Sequence, residues 1–351
     1  MNLKKRVALL LLLVLFGIIS TAVYMFRGHS RCTTHNGNEE IIDLCKKFRD
    51  GEVDGPLCSE LCSDEKFDFK CLQDTNKVVL EVIDIASEKF ILKRDREAVC
   101  HQNDLKQSKP HMVHSLLNMY GVITESSLVD IALFDQFTQL SLCYLLKQKD
   151  WVMAQILGDK LNFVPVIEGH CGPYYKTNYF KRKTRDIQLR QIISFTEEVF
   201  ALQDKVAFCD VQHSHIYFSD IFSTSAGDIM PIMIDLDLAF IKEELQAQST
   251  DKVCITSSDC NLFDCNFDCK QGKCSLKRAE PNISVFCKKI FEPKRHSEYG
   301  WFKYIERNAN IKTKQDINEF LNLCEGVVDA KTEQRFIEHL EYIKAKYTSI
   351  R

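Results

Sequence analysis

The sequence predicts an α+β fold that is rich in disulfides and lies behind a single N-terminal transmembrane helix. Three observations carry this prediction: an uncharged apolar stretch at residues 7–26, sixteen cysteines that all follow it, and strand-like patterns that precede most of the helical ones. Cysteines at this density persist as disulfides in oxidising compartments and are rare in cytosolic proteins. Strands early in a chain and helices later are typical of the α+β class.

The apolar stretch at 7–26 is long enough to cross a bilayer. Twenty residues at about 1.5 Å each match a hydrocarbon core of roughly 30 Å. Lys4, Lys5 and Arg6 precede the stretch, so the positive-inside rule places the N-terminus in the cytosol and the bulk of the chain across the membrane. The alternative is a cleaved signal peptide, for which the residues around Tyr24 are a poor cleavage context. Both alternatives place the cysteines on the non-cytosolic side.

Apolar periodicity predicts the regular elements. Alternating or continuous apolar runs predict strands at 78–82, 89–93, 163–167, 206–209, 216–218 and 229–234, the third of them followed by a turn at 169–173. Helical spacing predicts helices within 112–157, at 188–202, around 317–324 and around 336–347.

Two aspartates follow apolar runs and are the first candidates for chemistry. Asp210 follows the run at 206–209, and Asp235 follows the run at 232–234. A carboxylate at the end of a buried strand is costly unless it is paired or binds a cation. Two such acids fit a phosphoryl-transfer site, in which one accepts the substrate's hydroxyl proton and the other holds a metal ion on the nucleotide phosphates. Two solvated strand ends are the alternative explanation.

Lys93 follows the apolar run at 90–92 and is the candidate for holding nucleotide phosphates. Protein kinases place such a lysine on an early strand. A lysine that protects a sheet edge is the alternative explanation. The order of strand lysine, helices, Asp210 and Asp235 favours the phosphoryl-transfer interpretation.

Several short segments carry a resemblance to a known family. They are DLC at 43–45, GEVDGPLCSELC at 51–62, CL at 71–72, FILK at 90–93, GHCG at 169–172, FCD at 208–210, MIDL at 233–236 and the cysteine-rich segment at 254–287. Their order and cysteine spacing resemble the divergent protein kinase domain 1 family, which consists of cysteine-rich, kinase-like type II membrane proteins of the endoplasmic reticulum. The resemblance extends from about residue 32 to the C-terminus.

The resemblance implies a protein-kinase-like bilobal fold that faces the lumen. Lys93 matches the nucleotide-binding lysine, Asp210 the catalytic-loop acid and Asp235 the metal-binding acid. It also implies ATP with Mg²⁺ or Mn²⁺ as cofactor and a lumenal protein or glycan as substrate or partner. The implied location is the endoplasmic reticulum membrane, with a single span, and the Golgi is the alternative.

These expectations divide the chain into five parts. They are a cytosolic N-terminus at 1–6, a transmembrane signal anchor at 7–26, a cysteine-rich cap at 27–74, a small lobe with a helical insert at 75–170, and a large lobe at 171–351 that contains the cysteine-rich segment 254–287.

The chain departs from the kinase pattern at several positions. No glycine occurs at 75–89, where a glycine-rich loop is expected. His215 stands where a kinase has an asparagine as second metal ligand, and imidazole is a poor ligand for Mg²⁺. Asp237 replaces the glycine after the metal-binding acid, and its carboxylate either binds metal or repels nucleotide. No partner acid for Lys93 is identified, and without a D-x-[DN]-x-[DN]-G loop no EF-hand calcium site is expected.

The cysteines predict disulfides within and around the kinase-like core. No CxxC pair is present, which argues against a zinc ribbon, and the pairing cannot be deduced from the spacing. The five cysteines at 254–274 are interpreted as a disulfide-linked loop in the place of an activation segment, with a calcium or metal knot as the alternative. The cysteines predicted to form disulfides are Cys32, Cys45, Cys58, Cys62, Cys71, Cys254, Cys260, Cys265, Cys269, Cys274 and Cys287.

Two further expectations concern the surface. Asn282 lies in the chain's one N-x-S/T sequon and is the predicted glycosylation site. The net charge of −3 implies no strong field for nucleic acid, so no nucleic-acid partner is expected.

Two functions of different class remain open at this point. The first is a membrane-anchored lumenal kinase that transfers phosphate from ATP to a secretory-pathway substrate. The second is a pseudokinase that serves as a binding or scaffolding module. The presence of Lys93, Asp210 and Asp235 favours the first, whereas His215 and the missing glycine-rich loop favour the second.

Overall fold

The computed structural model describes residues 34–63, 67–106, 113, 138–158, 161–181, 189–219, 230–249, 252–291, 301, 311–327 and 329–347. Within these ranges no helix combines the length and apolar character needed to cross a membrane. The predicted transmembrane segment at 7–26 and Cys32 lie outside the described residues.

Within the described residues, the small lobe contains one antiparallel sheet of five strands. They are β1 (Asp68–Asp74), β2 (Lys77–Ile83), β3 (Lys89–Asp95), β4 (Ile167–Cys171) and β5 (Tyr174–Asn178). Their spatial order is β1-β2-β3-β5-β4, and β2 and β3 confirm the strands predicted at 78–82 and 89–93. Because one sheet contains all five strands, the predicted boundary after 74 separates β1 from its neighbours, and the boundary after 170 cuts through β4.

One face of this sheet is covered by the cysteine-rich N-terminal segment. That segment forms helices α1 (Thr34–Arg49) and α2 (Cys58–Leu61). Val78, Leu80 and Val82 alternate along β2 and are at most 1% exposed, within a core that also contains residues of both helices. Since side chains alternate across a strand, the opposite face of β2 and β3 is left for residues that meet the large lobe.

The helical insert precedes β4. Its described helices are α3 (Gln102–Leu105), α4 (Gln139–Leu146) and α5 (Lys149–Leu157), whereas most of the residues between α3 and α4 lie outside the described part. The Thr138 side chain accepts from the Ser141 backbone N–H and caps α4, which satisfies one of the donors that a helix start leaves unpaired. Trp151, Val152 and Met153 are at most 2% exposed, so α5 is packed deep inside the protein.

The strand predicted at 163–167 is displaced. Phe163 and Val164 are buried but lie in a loop within the large core, and the strand begins only at Ile167. Pro165 lies between Val164 and the start of the strand, and proline has no N–H to donate to a β-ladder. Gly169 and Cys171, predicted in a turn, therefore lie in β4, and the turn follows at Gly172 and Pro173.

The large lobe begins with helix α6 and four short strands. They are α6 (Leu189–Ala201), β6 (Val206–Phe208), β7 (Ile216–Ser219), β8 (Met230–Met233) and β9 (Ala239–Ile241), with a 3₁₀ turn at His213–His215. β6 pairs with β9, and β7 with β8, both antiparallel. The helix predicted at 188–202 and the strands predicted at 206–209, 216–218 and 229–234 are confirmed to within one or two residues.

The rest of the chain carries the cysteine-rich segment and the closing helices. Its elements are α7 (Lys242–Ser249), a 3₁₀ turn at Ser257–Cys260, β10 (Phe267–Lys270), β11 (Lys273–Arg278), α8 (Asn282–Phe286) with a π-helical turn at Cys287–Phe291, α9 (Ile311–Glu325) and α10 (Ala330–Tyr347). The two terminal helices confirm the predictions around 317–324 and 336–347. Phe195 lies at the centre of the large core, with its ring centroid 5.0 Å from Phe163 and 5.4 Å from both Phe286 and Trp301.

Seven disulfides join residues in the described part of the chain. They are Cys45–Cys62, Cys58–Cys171, Cys100–Cys143, Cys209–Cys265, Cys254–Cys269, Cys260–Cys274 and Cys287–Cys324. Cys71 is disulfide-bonded as well. Every predicted disulfide cysteine that the structure describes is thus oxidised, and the 254–274 cysteines offer no free thiolate to a metal.

Asn282 lies in the core, which contradicts its prediction as a glycan acceptor. Its side chain is fully buried. Its Nδ2 donates to the Val206 carbonyl (2.7 Å), and its Oδ1 accepts from the Phe208 N–H (3.1 Å) and from Arg278 Nη1 (2.8 Å). Nδ2 is not accessible to a glycan in the folded protein, because it is buried and donates to β6, the strand that precedes Asp210.

We expect Asn282→Ala to lower the free energy of unfolding by about 3 kcal/mol, because buried polar groups of β6 lose their partner. Chemical denaturation measures the change. Asn318→Ala, at an exposed position of α9, is the matched control and should change the free energy by less than about 0.5 kcal/mol. An endoglycosidase-sensitive glycan on Asn282 in the folded protein would contradict this assignment.

Candidate functional site

Two lysines project from the sheet face that meets the large lobe. Lys93 lies opposite Val79 in the β2–β3 pairing, and Lys77 lies two residues before Val79 on β2, so both side chains share one face. Both side chains are only 11% exposed. Tyr175 lies opposite Lys93 on β5 and extends the same face. Three neighbouring strands, β2, β3 and β5, therefore direct polar side chains toward one shared partner.

That partner is Asp150, on the first turn of α5. Its Oδ2 lies 3.3 Å from Lys77 Nζ, 3.6 Å from Lys93 Nζ and 3.3 Å from the Tyr175 hydroxyl. Its Oδ1 accepts from the Leu236 backbone N–H at 2.5 Å. Asp150 is thus the partner acid of Lys93, and it connects the small-lobe sheet to the loop after β8.

The residue before Asp150 fixes α5 from the other side. Lys149 Nζ lies 2.8 Å from Glu244 Oε1 on α7 and 3.3 Å from the centre of the Phe240 ring. Burial lowers the pKa of Lys149 and raises the pKa of Glu244, each against the opposing effect of its partner. The pair joins α5 to the segment that follows Asp237, so the position of Asp150 depends on the fold of that segment.

Asp235 and Asp237 lie in the loop after β8 and are held by a lysine. Lys77 Nζ lies 2.5 Å from Asp235 Oδ1 and 3.0 Å from Asp237 Oδ2. Lys93 Nζ donates to the carbonyl of Ile234 at 2.5 Å. The structure therefore brings the predicted Lys93 next to the predicted Asp235, and it adds a second lysine that the sequence interpretation did not include.

The charges of this group shift one another's pKa. Burial acts to raise the pKa of Asp235, but Lys77 and Lys93 lower it to about 2. Burial raises the pKa of Asp237, and Asp235 adds to that increase, while Lys77 opposes it. Burial by itself lowers the pKa of Lys77, but Asp150 and the two loop acids raise it above its ordinary value. Lys77 is therefore charged at physiological pH.

Asp210 follows β6, and the His215 ring separates it from the loop after β8 that carries Asp235. Its Oδ1 accepts from Gln212 Nε2 at 2.6 Å. His215 places Nδ1 3.8 Å from Asp210 Oδ2 and Nε2 3.6 Å from Asp235 Oδ2. The Ile234 N–H donates to the His215 carbonyl at 2.8 Å, which fixes the two loops against each other. Asp210 and Asp235 are thus brought together, with His215 between them.

The cysteine-rich segment is attached directly to the Asp210 loop. Cys209 forms a disulfide with Cys265, and the Asp264 N–H donates to the Cys209 carbonyl at 2.8 Å. Asp264 Oδ2 accepts from the Val211 N–H at 2.8 Å, and its Oδ1 accepts from Lys289. The residues on both sides of Asp210 are therefore held by one segment, which is a positioning role that sequence inspection did not assign to Asp264.

The donor set fits one divalent cation. Asp235 and Asp237 offer carboxylate oxygens, the ligand type that Mg²⁺ and Mn²⁺ prefer. Both already contact a cationic group, the ammonium of Lys77. His215 offers only nitrogen at the position of a second metal ligand, so a two-metal arrangement does not fit.

Sequence inspection missed two residues of this site, Asp150 and Lys77, for different reasons. Asp150 is a carboxylate at the start of an apolar helix, a weak signal among 49 acidic residues. Lys77 directly precedes the strand predicted at 78–82 and shares a face with Lys93, and aligning the two predicted strands could have revealed it.

Comparison with known protein families agrees with this arrangement. The family described as "Protein-kinase domain of FAM69" matches residues 142–326, more than half of the chain. The family described as "N-term cysteine-rich ER, FAM69" matches residues 1–120. The chain belongs to the FAM69 family. Membership confirms the resemblance to a divergent kinase family with a cysteine-rich N-terminal region, and it establishes a kinase-like domain of mixed helix and sheet in this FAM69 protein.

A solved structure with partial similarity is the Rio2 kinase from Chaetomium thermophilum, in an ADP/Mg²⁺-phosphoaspartate complex. The identity is 12%, the TM-score is 0.29, and the match covers 52% of this chain and 51% of that one. The FAM69 chain thus spans about half the length of that kinase.

Proposed function

We propose that this FAM69 protein is a membrane-anchored lumenal kinase that transfers a phosphoryl group from ATP to a hydroxyl of a secretory-pathway protein or glycan. One observation carries the proposal. Asp150 contacts Lys93 from the small lobe and Leu236 from the large lobe, so the lysine and the acids Asp210 and Asp235 are assembled at one interface. Phosphoryl transfer relies almost entirely on such positioning and on electrostatic stabilisation.

Each residue takes a role that its geometry allows. Lys93 supplies a positive charge for the nucleotide phosphates, and Asp150 orients it. Asp235, with Asp237, would hold a divalent cation, which when bound neutralises charge on the phosphates. Asp210 accepts the proton of the substrate hydroxyl, because its Oδ1 is oriented by Gln212 and its side chain remains 20% exposed.

The proposed location is the endoplasmic reticulum membrane, with the bulk of the chain in the lumen and the Golgi as the alternative. The seven disulfides support an oxidising compartment, and the matching N-terminal family is described as an ER family. The segment at 7–26 remains the proposed single span. The net charge of −3 supports partners other than nucleic acid.

A pseudokinase that binds lumenal partners is the second candidate. His215 lies between Asp210 and Asp235, where its ring interferes with a second metal ion. The turn between β1 and β2 contains only Thr75 and Asn76, so no glycine-rich loop covers the phosphates. Both observations favour a protein that has retained the kinase-like fold but has lost phosphoryl transfer.

Nucleotide-dependent stabilisation tests the proposal. Full-length protein in detergent is heated with and without Mn²⁺ and ATP. A ligand at about 100 times its dissociation constant should stabilise the folded state by roughly 2.7 kcal/mol, and Asp235→Ala should abolish the shift. Asp268→Ala, at an exposed carboxylate, is the control and should keep it. A wild-type protein that shows no nucleotide-dependent shift is not a kinase.

A further inference from the structure

Lys77 occupies an unusual position for a buried lysine. It is the first residue of β2, directly after the two-residue turn of Thr75 and Asn76. Lys77 as a whole is only 9% exposed. Its Nζ lies within ion-pair distance of three carboxylates, at 2.5 Å from Asp235, 3.0 Å from Asp237 and 3.3 Å from Asp150.

The turn before Lys77 has its own hydrogen-bond partners. The Thr75 N–H donates to the Lys77 carbonyl at 3.2 Å, and the Asn76 carbonyl accepts from the Arg96 N–H at 2.8 Å. A kinase glycine-rich loop covers the nucleotide phosphates at this corner of the sheet. This turn is too short to do so, whereas the Lys77 ammonium, one residue after the turn, is directed to the acids Asp235 and Asp237.

Lys77 and Lys93 hold different parts of the site. The contacts of the Lys93 ammonium are with Asp150 and with the carbonyl of Ile234. Lys77 alone of the two contacts both candidate metal ligands, Asp235 Oδ1 and Asp237 Oδ2. A divalent cation bound by these two carboxylates would lie within a few ångströms of the ammonium, and repulsion between the two positive charges opposes their joint binding.

We propose that Lys77 is a built-in cation that competes with a divalent metal ion for Asp235 and Asp237. In the nucleotide-free protein its ammonium neutralises the two acids, and metal binding displaces it. Its flexible four-carbon stem allows the ammonium to move while the strand stays in place. The proposal rests on the proposed function for one point only: a metal–nucleotide complex is the incoming ligand, and the displaced ammonium is then available to its phosphates.

Mn²⁺ binding without nucleotide tests the proposal. Calorimetric titration of the full-length protein in detergent is compared for the wild type, Lys77→Met and Lys77→Arg. Removing a positive charge a few ångströms from two carboxylates should tighten Mn²⁺ binding about tenfold or more in Lys77→Met. Lys77→Arg keeps the charge and should stay within about twofold of the wild type.

Lys89→Met is the matched control. Lys89 lies at the far end of β3, where its side chain is 42% exposed and pairs with Glu81, so its loss should leave Mn²⁺ affinity unchanged. A Lys77→Met protein that binds Mn²⁺ no more tightly than the wild type overturns the proposal. If Lys77→Met does not fold, amine acetylation of the wild type decides: Mn²⁺ should increase the labelling of Lys77, and unchanged labelling overturns the proposal.

A parallel titration with ADP separates this proposal from the proposed function. If no variant binds ADP, with or without Mn²⁺, the kinase function fails. The effect of Lys77→Met on Mn²⁺ affinity is measured without nucleotide and still decides whether Lys77 competes with metal.

Discussion

Replacing Asp210 with asparagine is expected to lower ATP turnover by about 10²- to 10⁴-fold while nucleotide affinity stays within about twofold. Asparagine has the same shape and can still bond to Gln212, but it cannot accept a proton. The groups assigned to the nucleotide, Lys93 and Asp235, keep their contacts. Autophosphorylation and phosphate release from labelled ATP, measured on the full-length protein in detergent, report the rate.

Two comparisons make this result interpretable. Asp268→Asn changes an exposed carboxylate of the cysteine-rich segment and should leave turnover at the wild-type rate. An Asp210→Asn protein that turns over ATP as fast as the wild type contradicts a role for Asp210 as proton acceptor. Nucleotide binding without turnover in the wild type favours the pseudokinase.

Removal of the Cys209–Cys265 disulfide is expected to have the second large effect. The bond closes a loop with a sequence separation of 56 residues, so Cys209→Ala with Cys265→Ala should lower the free energy of unfolding by about 4 kcal/mol. The Asp210 loop also loses its covalent link to the segment that carries Asp264. We therefore expect faster amide exchange at residues 209–215, together with a lower rate of ATP turnover.

The Cys254–Cys269 disulfide provides the matched control. It lies in the same segment, closes a separation of 15 residues and does not involve the Asp210 loop. Its removal should cost about 3 kcal/mol without faster exchange at 209–215. Equal exchange in the two double variants would show that the Cys209–Cys265 bond does not hold the loop.

Sequence inspection found the acids and one lysine of the site because each directly follows a buried apolar run. Asp210, Asp235 and Lys93 follow apolar runs, and a charged group at such a position signals pairing or cation binding. The structure brings all three to the interface between the lobes. These placements depend on short apolar runs, which hydrophobic periodicity detects well.

The partners of these residues could not be found in the same way. Asp150 contacts Lys93 across 57 residues of chain, and Lys77 contacts Asp235 across 158. Such pairs form only because the sheet packs on α5 and on the loop after β8. The burial of Asn282 has the same origin, since a sequon carries no information about which side chain the core will enclose.

The cysteines show what the sequence predicts and what only the tertiary structure reveals. The number of cysteines predicts oxidation, but Cys58 bonds to Cys171 across 113 residues, a pairing that spacing does not reveal. The strand predicted at 163–167 shows a related limit, because Phe163 and Val164 are buried in the large core without pairing in a sheet.

The sequence by itself determined the mixed helix-and-strand class, the strands at 78–82, 89–93, 206–209, 216–218 and 229–234, the oxidised state of the cysteines and the positions of Lys93, Asp210 and Asp235, because these depend on burial along short segments. Only the tertiary structure decided which acid pairs with Lys93, which disulfides form, and that Lys77 holds the metal ligand candidates. The physical reason is that Coulombic and hydrogen-bond energies depend on distances of a few ångströms between groups far apart in the chain, and packing alone sets those distances.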